Sequence, residues 1–275
     1  MARTTRRASM AIVAISTLLL AACGGDDSGT VSEPDDDASA IAAPAGLVSD
    51  GTLTVCSDTP YEPFEFKDDS GTDTGYDMDL LRAVAERAEL DMTVKDLPFD
   101  GILGSLTAGD CDVVASAVTI KPERAEQVDF TEPYFDADQS LLVKTAEAGE
   151  HSALDKLAGK TIGVQSGTTG ETYAKEHTPE GATVKGFEDS DGLFAAIAAG
   201  DIAGILQDLP VNAYRATQDT TLQVVETFKT GEQYGFAVKK GNAELLGFLD
   251  DGLAALRANG EFNTIYTRYF GSVGG

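Results

Sequence analysis

Residues 112–135 read DVVASAVTIKPERAEQVDFTEPYF. The run from Asp112 to Val118 is short, valine-rich and uncharged after its first residue, the composition of a strand buried on both faces of a parallel sheet. Thr119 to Glu126 carries a Pro-Glu pair and then Arg124, so a proline-started helical turn follows the strand with its free N–H groups beyond the sheet edge. Ligands of open α/β sheets bind beyond the carboxyl ends of the strands, and a guanidinium there can grip a planar carboxylate through two parallel hydrogen bonds. Arg124 is thus the leading candidate ligand residue. A second reading stays open: an arginine paired with Glu123, Glu126 or Asp129 on a solvated helix face.

The 275 residues can bury one large core or two smaller ones, and 42% apolar with 7% aromatic residues describe an ordinary globular protein. The net charge of -26, from 46 acidic against 20 basic residues, argues against nucleic acid and anionic membrane surfaces as partners.

Arg3, Arg6 and Arg7 precede an uncharged run from Ala8 to Ala22 that is too short to span a bilayer as a mature helix, and Cys23 follows. Leu20-Ala21-Ala22-Cys23 resembles the lipobox of bacterial lipoproteins, which implies a signal peptide over residues 1–22 and a lipid on the Cys23 sulfur. Thr5-Arg6-Arg7 also hints at twin-arginine export. Residues 23–49, rich in Gly, Ser, Asp, Ala and Pro without hydrophobic period, read as a disordered acidic tether. Its acidic run reads as solvated rather than as a metal site.

The folded part opens with a strand, Thr52 to Ser57, stopped by Asp58-Thr59-Pro60, which puts Asp58 and Tyr61 at the same sheet edge as Arg124. After Gly75 a helix carries Leu80, Leu81, Val84, Ala85 and Ala88 on one face, with Asp77 and Asp79 favouring its N-terminus through the dipole. Thr93 to Leu97, Phe99 to Ala108 and Asp112 to Val118 then read as strand, helix, strand. A second α/β set begins at strand Thr161 to Gln165, which ends in Ser166-Gly167-Thr168-Thr169-Gly170 before a helix from about Glu171, again offering N–H groups and hydroxyls to an anion. Strand Thr183 to Phe187, helix Asp189 to Ala199, strand Ile202 to Leu206 and helix Pro210 to Thr217 complete it. The count gives two α/β lobes.

GYDMDLLRAVAERA, residues 75–88, resembles the signature of the family 3 bacterial extracellular solute-binding proteins, the amino-acid receptors of ABC importers. TIKPERAEQVDFTEPYF resembles that family's second hallmark, and the similarity runs from about Leu53 to Phe270. The resemblance implies a periplasmic-binding-protein type II fold: two doubly wound lobes joined by hinge strands near Leu141-Val143 and Phe236-Val238. Lobe 1 would be discontinuous, residues 50–140 and 236–275, with lobe 2 over 141–235. It implies a monomer outside the cytoplasm, anchored to the membrane by lipid alone, that delivers a free amino acid to ABC permease subunits. No catalytic residue, cofactor or metal is expected. A cyclohexadienyl dehydratase-like enzyme is the alternative on the same fold.

Carried over residue by residue, the family pocket assigns the ligand α-carboxylate to Arg124, with Thr119 and Thr169 adding hydrogen bonds. The α-ammonium falls to Asp208, supported by the Ala117 carbonyl. Tyr61 and Phe99 would sandwich the side chain, with Asp58, Ser116 and Gln165 at its polar end and Thr168 in the anion turn. A zwitterion needs both a buried cation and a buried anion, so this set is chemically coherent. Without the family, Phe99 reads equally as a core residue before a helix, and Asp208 as a cap before Leu209-Pro210. The polar end holds one carboxylate with neutral neighbours, which favours arginine, lysine, histidine or glutamine over an acidic ligand. Cys56 and Cys111 lie on strands that neighbour each other in the order 2-1-3, so a disulfide is open to them in an oxidising compartment. His151 and His177 sit in polar segments expected at the surface.

Overall fold

The computed structural model describes residues 41–271. The expected signal peptide and Cys23 lie outside the described residues. The first half of the chain contains β1 (Thr52–Ser57), a hairpin of β2 (Phe66–Lys67) and β3 (Asp73–Thr74), α1 (Tyr76–Glu86), β4 (Asp91–Asp96), α2 (Gly104–Ala108), β5 (Val113–Val114), α3 (Pro122–Ala125) and β6 (Val128–Phe130). The strand β7 (Phe135–Lys144) leads to β8 (Thr161–Gln165), α4 (Thr169–His177), β9 (Thr183–Phe187), α5 (Ser190–Ala199), β10 (Gly204–Asp208) and α6 (Leu209–Gln218). Last come β11 (Leu222–Tyr234), β12 (Ala237–Lys239), α7 (Ala243–Asn259) and α8 (Glu261–Phe270).

These strands form two five-stranded sheets, ordered β4-β1-β5-β12-β6 and β11-β7-β10-β8-β9. In the first, β4 and β5 flank β1 in parallel and β12 returns antiparallel. In the second, β9, β8 and β10 are parallel, the long strand β7 runs antiparallel to β10, and β11 runs antiparallel to β7 at the edge. Each sheet is covered on both faces. Leu80, Leu81 and Val84 of α1 pack with Leu249, Leu253 and Leu256 of α7 on one side of the first sheet, while Cys56, Leu106, Val114 and Ala237 fill the other. Leu141, Ile162, Val164 and Leu206 form one core layer of the second sheet, and Leu142, Leu193, Ile197 and Ile205 the other. The molecule is a two-lobed periplasmic-binding fold.

Two elements are shorter than their sequence suggests. The buried run from Asp112 to Val118 pairs as a strand only at Val113–Val114, because Ser116 and Ala117 leave the ladder for polar partners and Ala117 takes φ +45°. Of the expected helix from Phe99, only Gly104–Ala108 is α-helical, after turns that include Gly101 at φ +87°. The chain passes between the sheets where Phe135 of β7 pairs with Tyr234 of β11, next to Gly235. Leu141 and Leu142 pair inside the second sheet instead, and Ala237–Val238 inside the first, so neither predicted hinge segment is the crossing itself. Nor is the end of the expected tether free: Ile41 N donates to Arg87 O at 3.1 Å, Ala45 N to Glu244 Oε1 at 2.7 Å and Val48 N to Asp112 Oδ1 at 2.7 Å.

Gly75, at φ +119°, is required by contact as well as by backbone: a Cβ there would lie 2.2 Å from the Phe64 carbonyl oxygen. That close approach lets Asp77 N donate to Phe64 O at 3.0 Å and seats the start of α1 against the loop that carries Tyr61 and Glu65.

Candidate functional site

Parallel pairing brings the carboxyl ends of β1 and β5 to one edge of the first sheet, and those of β8 and β10 to one edge of the second. All eleven predicted site residues line a single cavity between these edges: Asp58, Tyr61, Phe99, Ser116, Ala117, Thr119 and Arg124 from the first lobe, and Gln165, Thr168, Thr169 and Asp208 from the second.

Arg124 projects from the four-residue turn α3 and donates from Nη1 to Thr119 O at 3.0 Å and from Nη2 to Gly167 O, across the cleft, at 3.1 Å. Its guanidinium carbon stands 5.4 Å from the Phe99 ring centroid, so Phe99 is a wall of the cavity. The surface-pair reading fails: Asp129 is bridged by Lys240 at 2.7 Å, and Arg124 forms no ion pair among the described residues. Burial pulls the Arg124 pKa down while the nearby charges of Asp208 and Glu232 push it back up. A half-buried cation with only carbonyl partners is ready for an anion.

Asp208 ends β10 at the N-cap position of α6 but makes no capping bond with its side chain. Its carboxylate instead accepts from Tyr61 OH at 2.9 Å, from Tyr234 OH and from Gln139 Nε2. Burial lifts its pKa to about 6 against these stabilising donors. Asp58 is held similarly, about 6, by burial opposed by a hydrogen bond from Gln165 Nε2 and reinforced by Asp96, Asp189 and Glu188. Two groups lie close across the cleft near Arg124, with Thr119 and Thr169 hydroxyls 3.5 Å apart. Thr168 acts locally: its hydroxyl donates to Gln165 O at 2.8 Å and accepts Glu171 N–H at 3.0 Å, capping α4.

Several groups behind the cavity were not legible in the sequence. Gln139 on β7 donates to Asp208, to Glu232 Oε2 at 2.8 Å and to Thr169 Oγ1 at 3.2 Å. Glu232 on β11 also accepts from Thr169 Oγ1 at 3.2 Å. Glu65, buried completely, accepts from Ser116 Oγ at 3.0 Å. Asp77, expected as a dipole partner at a helix start, is also fully buried and accepts Ala117 N–H at 3.0 Å and Tyr134 OH at 2.7 Å. A lone acid between Phe64 and Phe66 was the one available signal for Glu65. Cys56 and Cys111 are joined in a disulfide with Cα atoms 5.8 Å apart. His151 is buried against Glu147 rather than at the surface, with Nδ1 3.2 Å from Oε2, whereas His177 is exposed and stacks on Tyr173.

Such a cleft, with a half-buried cation on one lobe and a buried anion on the other, is the site of a solute-binding protein. The chain belongs to the bacterial extracellular solute-binding proteins, family 3, whose model matches residues 53–272. It is 32% identical over 271 residues to a probable histidine-binding protein of Neisseria gonorrhoeae, covering 96% of each chain. An L-cystine-binding protein of Escherichia coli is 31% identical over 224 residues, 81% of this chain and 84% of its own. Among solved structures, an ancestral arginine-binding protein bound to glutamine superposes with a TM-score of 0.76 at 37% identity, over 82% of this chain and all of its own. No described helix is long and apolar enough to cross a membrane.

Proposed function

We propose that this protein is the extracytoplasmic receptor of an ABC importer and captures a cationic or amide-bearing L-amino acid by closing its two lobes. The observation that carries this reading is the pairing of Arg124 and Asp208, one per lobe, in one cavity. Arg124 takes the α-carboxylate, helped by Thr119 and Thr169. Asp208 takes the α-ammonium, helped by the Ala117 carbonyl. Tyr61 and Phe99 hold the side chain between them, and its polar end meets Asp58, Ser116 and Gln165. Relatives named for histidine and arginine, one bound to glutamine, support the ligand class, while the cystine-named relative widens the field to test.

The two lobes meet where the chain crosses beside Phe135 and Tyr234, with Cys23 as the lipid anchor and a membrane permease as the receiver. The protein acts as a monomer and binds without catalysis. Calorimetric titration of the purified mature chain with each common amino acid and with L-cystine tests the reading. Tight binding of arginine, lysine, histidine or glutamine is expected; binding of glutamate or aspartate with those four silent would overturn it. Turnover of prephenate or arogenate by the same preparation would favour the dehydratase alternative.

A further inference from the structure

Two carboxyl groups sit behind the side-chain end of the cavity without lining it. Glu65 Oε1 accepts the Ser116 hydroxyl at 3.0 Å, and Ser116 Oγ in turn accepts the Asp58 backbone N–H at 3.0 Å. Asp77 Oδ2 accepts Tyr134 OH and the N–H of Ala117, the residue held at φ +45°. The other oxygen of each, Glu65 Oε2 and Asp77 Oδ1, is buried without a partner among the described residues.

The groups that face this pair are all acidic or phenolic. Asp77, Asp58 and Asp208 act on Glu65, whose charge is felt in turn by Tyr61 and Tyr134; no described Lys, Arg or His bridges either carboxyl. Two fully buried carboxyls with no cation, each with one orphaned oxygen, cannot both ionise cheaply. Burial indeed raises Asp77 to about 7 and Glu65 well above the usual carboxylate range.

We propose that Glu65 and Asp77 share one proton, and that this pair makes Glu65 a positioning residue for specificity by committing the Ser116 hydroxyl proton to Glu65 Oε1. Ser116 then meets the ligand as an acceptor. Its neighbours agree: Asp58 is a carboxylate, and Gln165 spends its Nε2 hydrogens on Asp58 and on Glu188 O, leaving its carbonyl oxygen. Three acceptors converge on the side-chain end. They suit a guanidinium or ammonium, which only donates, and work against any end that brings its own oxygen.

This inference rests on the amino-acid reading above, and its test separates the two. L-Arginine and L-citrulline have one shape, but citrulline replaces a donor by a carbonyl oxygen, so their affinity ratio reports the polarity of the side-chain end. Glu65→Gln mimics the neutral acid, donating to Asp77 and accepting from Ser116, and should bind both ligands within about threefold of wild type. Glu65→Leu frees the Ser116 hydroxyl to donate, and the arginine preference should fall by about tenfold or more. In a Ser116→Ala background the same substitution should change the ratio no further. A tenfold loss in Glu65→Gln, an unchanged ratio in Glu65→Leu, or an equal effect without Ser116 would each overturn the proposal. If wild type binds neither ligand, the ligand class fails, and infrared spectroscopy still decides on Glu65. A neutral carboxylic acid band at pH 7 that vanishes in Glu65→Gln supports the shared proton, and its absence from wild type refutes it.

Discussion

Arg124 reaches the cavity because Pro122 starts a turn too short to shield it and because its two donating nitrogens find carbonyls, not carboxylates. On the proposed reading a ligand carboxylate completes its charge balance, and removing either partner leaves one charge of the bound zwitterion unpaired. Arg124→Ala and Asp208→Ala should each cost about 3 to 5 kcal/mol of binding, a loss of more than a hundredfold, with the unfolding transition preserved. Calorimetry finding either variant within threefold of wild type, under about 1 kcal/mol, would remove the zwitterion assignment. Arg124, Asp58, Tyr61 and the Thr168-Thr169 turn were legible because each follows a strand end or opens a helix, where sequence punctuation is strong, whereas Phe99, Ser116, Ala117, Thr119, Gln165 and Asp208 were assigned through the family resemblance. Glu65, Gln139 and Glu232 were not: they act through a second layer of contacts 51, 69 and 63 residues away in sequence, to Ser116, Asp208 and Thr169 respectively. Pattern along the chain carries no trace of such pairings.

Strands buried on both faces, such as β1 and β8, coincide with their predicted bounds, since an uninterrupted apolar run between turn residues leaves little freedom. Of the long strands, β7 is seen only at Leu141–Val143 and β11 is not seen. Both carry polar residues on solvated stretches, and β11 includes register shifts between Val224 and Glu226 and between Phe228 and Glu232, which break the alternation that marks a strand. The disulfide acts at this scale too. Cys56 lies two residues before Asp58 on β1 and Cys111 just before the segment that carries Ser116, so the bond ties together both elements that shape the side-chain end. With the cysteines separated by 55 positions in sequence, opening it should lower stability by about 4 kcal/mol in the chain-entropy account. The Cys56→Ser, Cys111→Ser double variant should melt well below wild type and be unaffected by reductant, whereas reductant should lower the wild-type transition once the bond is opened. Identical melting of the variant and the oxidised wild type would show that the bond contributes nothing.

At the scale of the whole molecule, two strands cross between the lobes while the cavity joins them through Tyr61 to Asp208, Gln165 to Asp58 and Arg124 to Gly167. Ligand that bridges Arg124 and Asp208 adds to these contacts only in the closed form, so saturation should reduce the radius of gyration in small-angle scattering. Indistinguishable profiles with and without bound ligand would count against closure. The same cavity makes stability and affinity respond oppositely to pH. Burial first, and only then neighbouring acids, raises Asp58 and Asp208 from 3.8 to about 6 despite their hydrogen-bond donors. A raised carboxyl binds its proton more tightly in the folded than in the unfolded chain, so its contribution is full below about 4 and is lost as pH climbs through about 6. Surface acids such as Asp129 and Asp138, held low by hydrogen bonds from Lys240 and Lys229, have finished ionising below this window. Unliganded protein should thus melt at a higher temperature at pH 4.5 than at pH 7.5, and Asp58→Asn with Asp208→Asn should flatten that slope. Affinity should run the other way, rising from pH 4.5 to 7.5, because an α-ammonium and a cationic side chain need both carboxylates ionised. Calorimetry across that range, beside melting curves of the free protein, gives both slopes. Affinity that falls or stays level as pH rises would mean that the two carboxyls do not receive the ligand's positive groups.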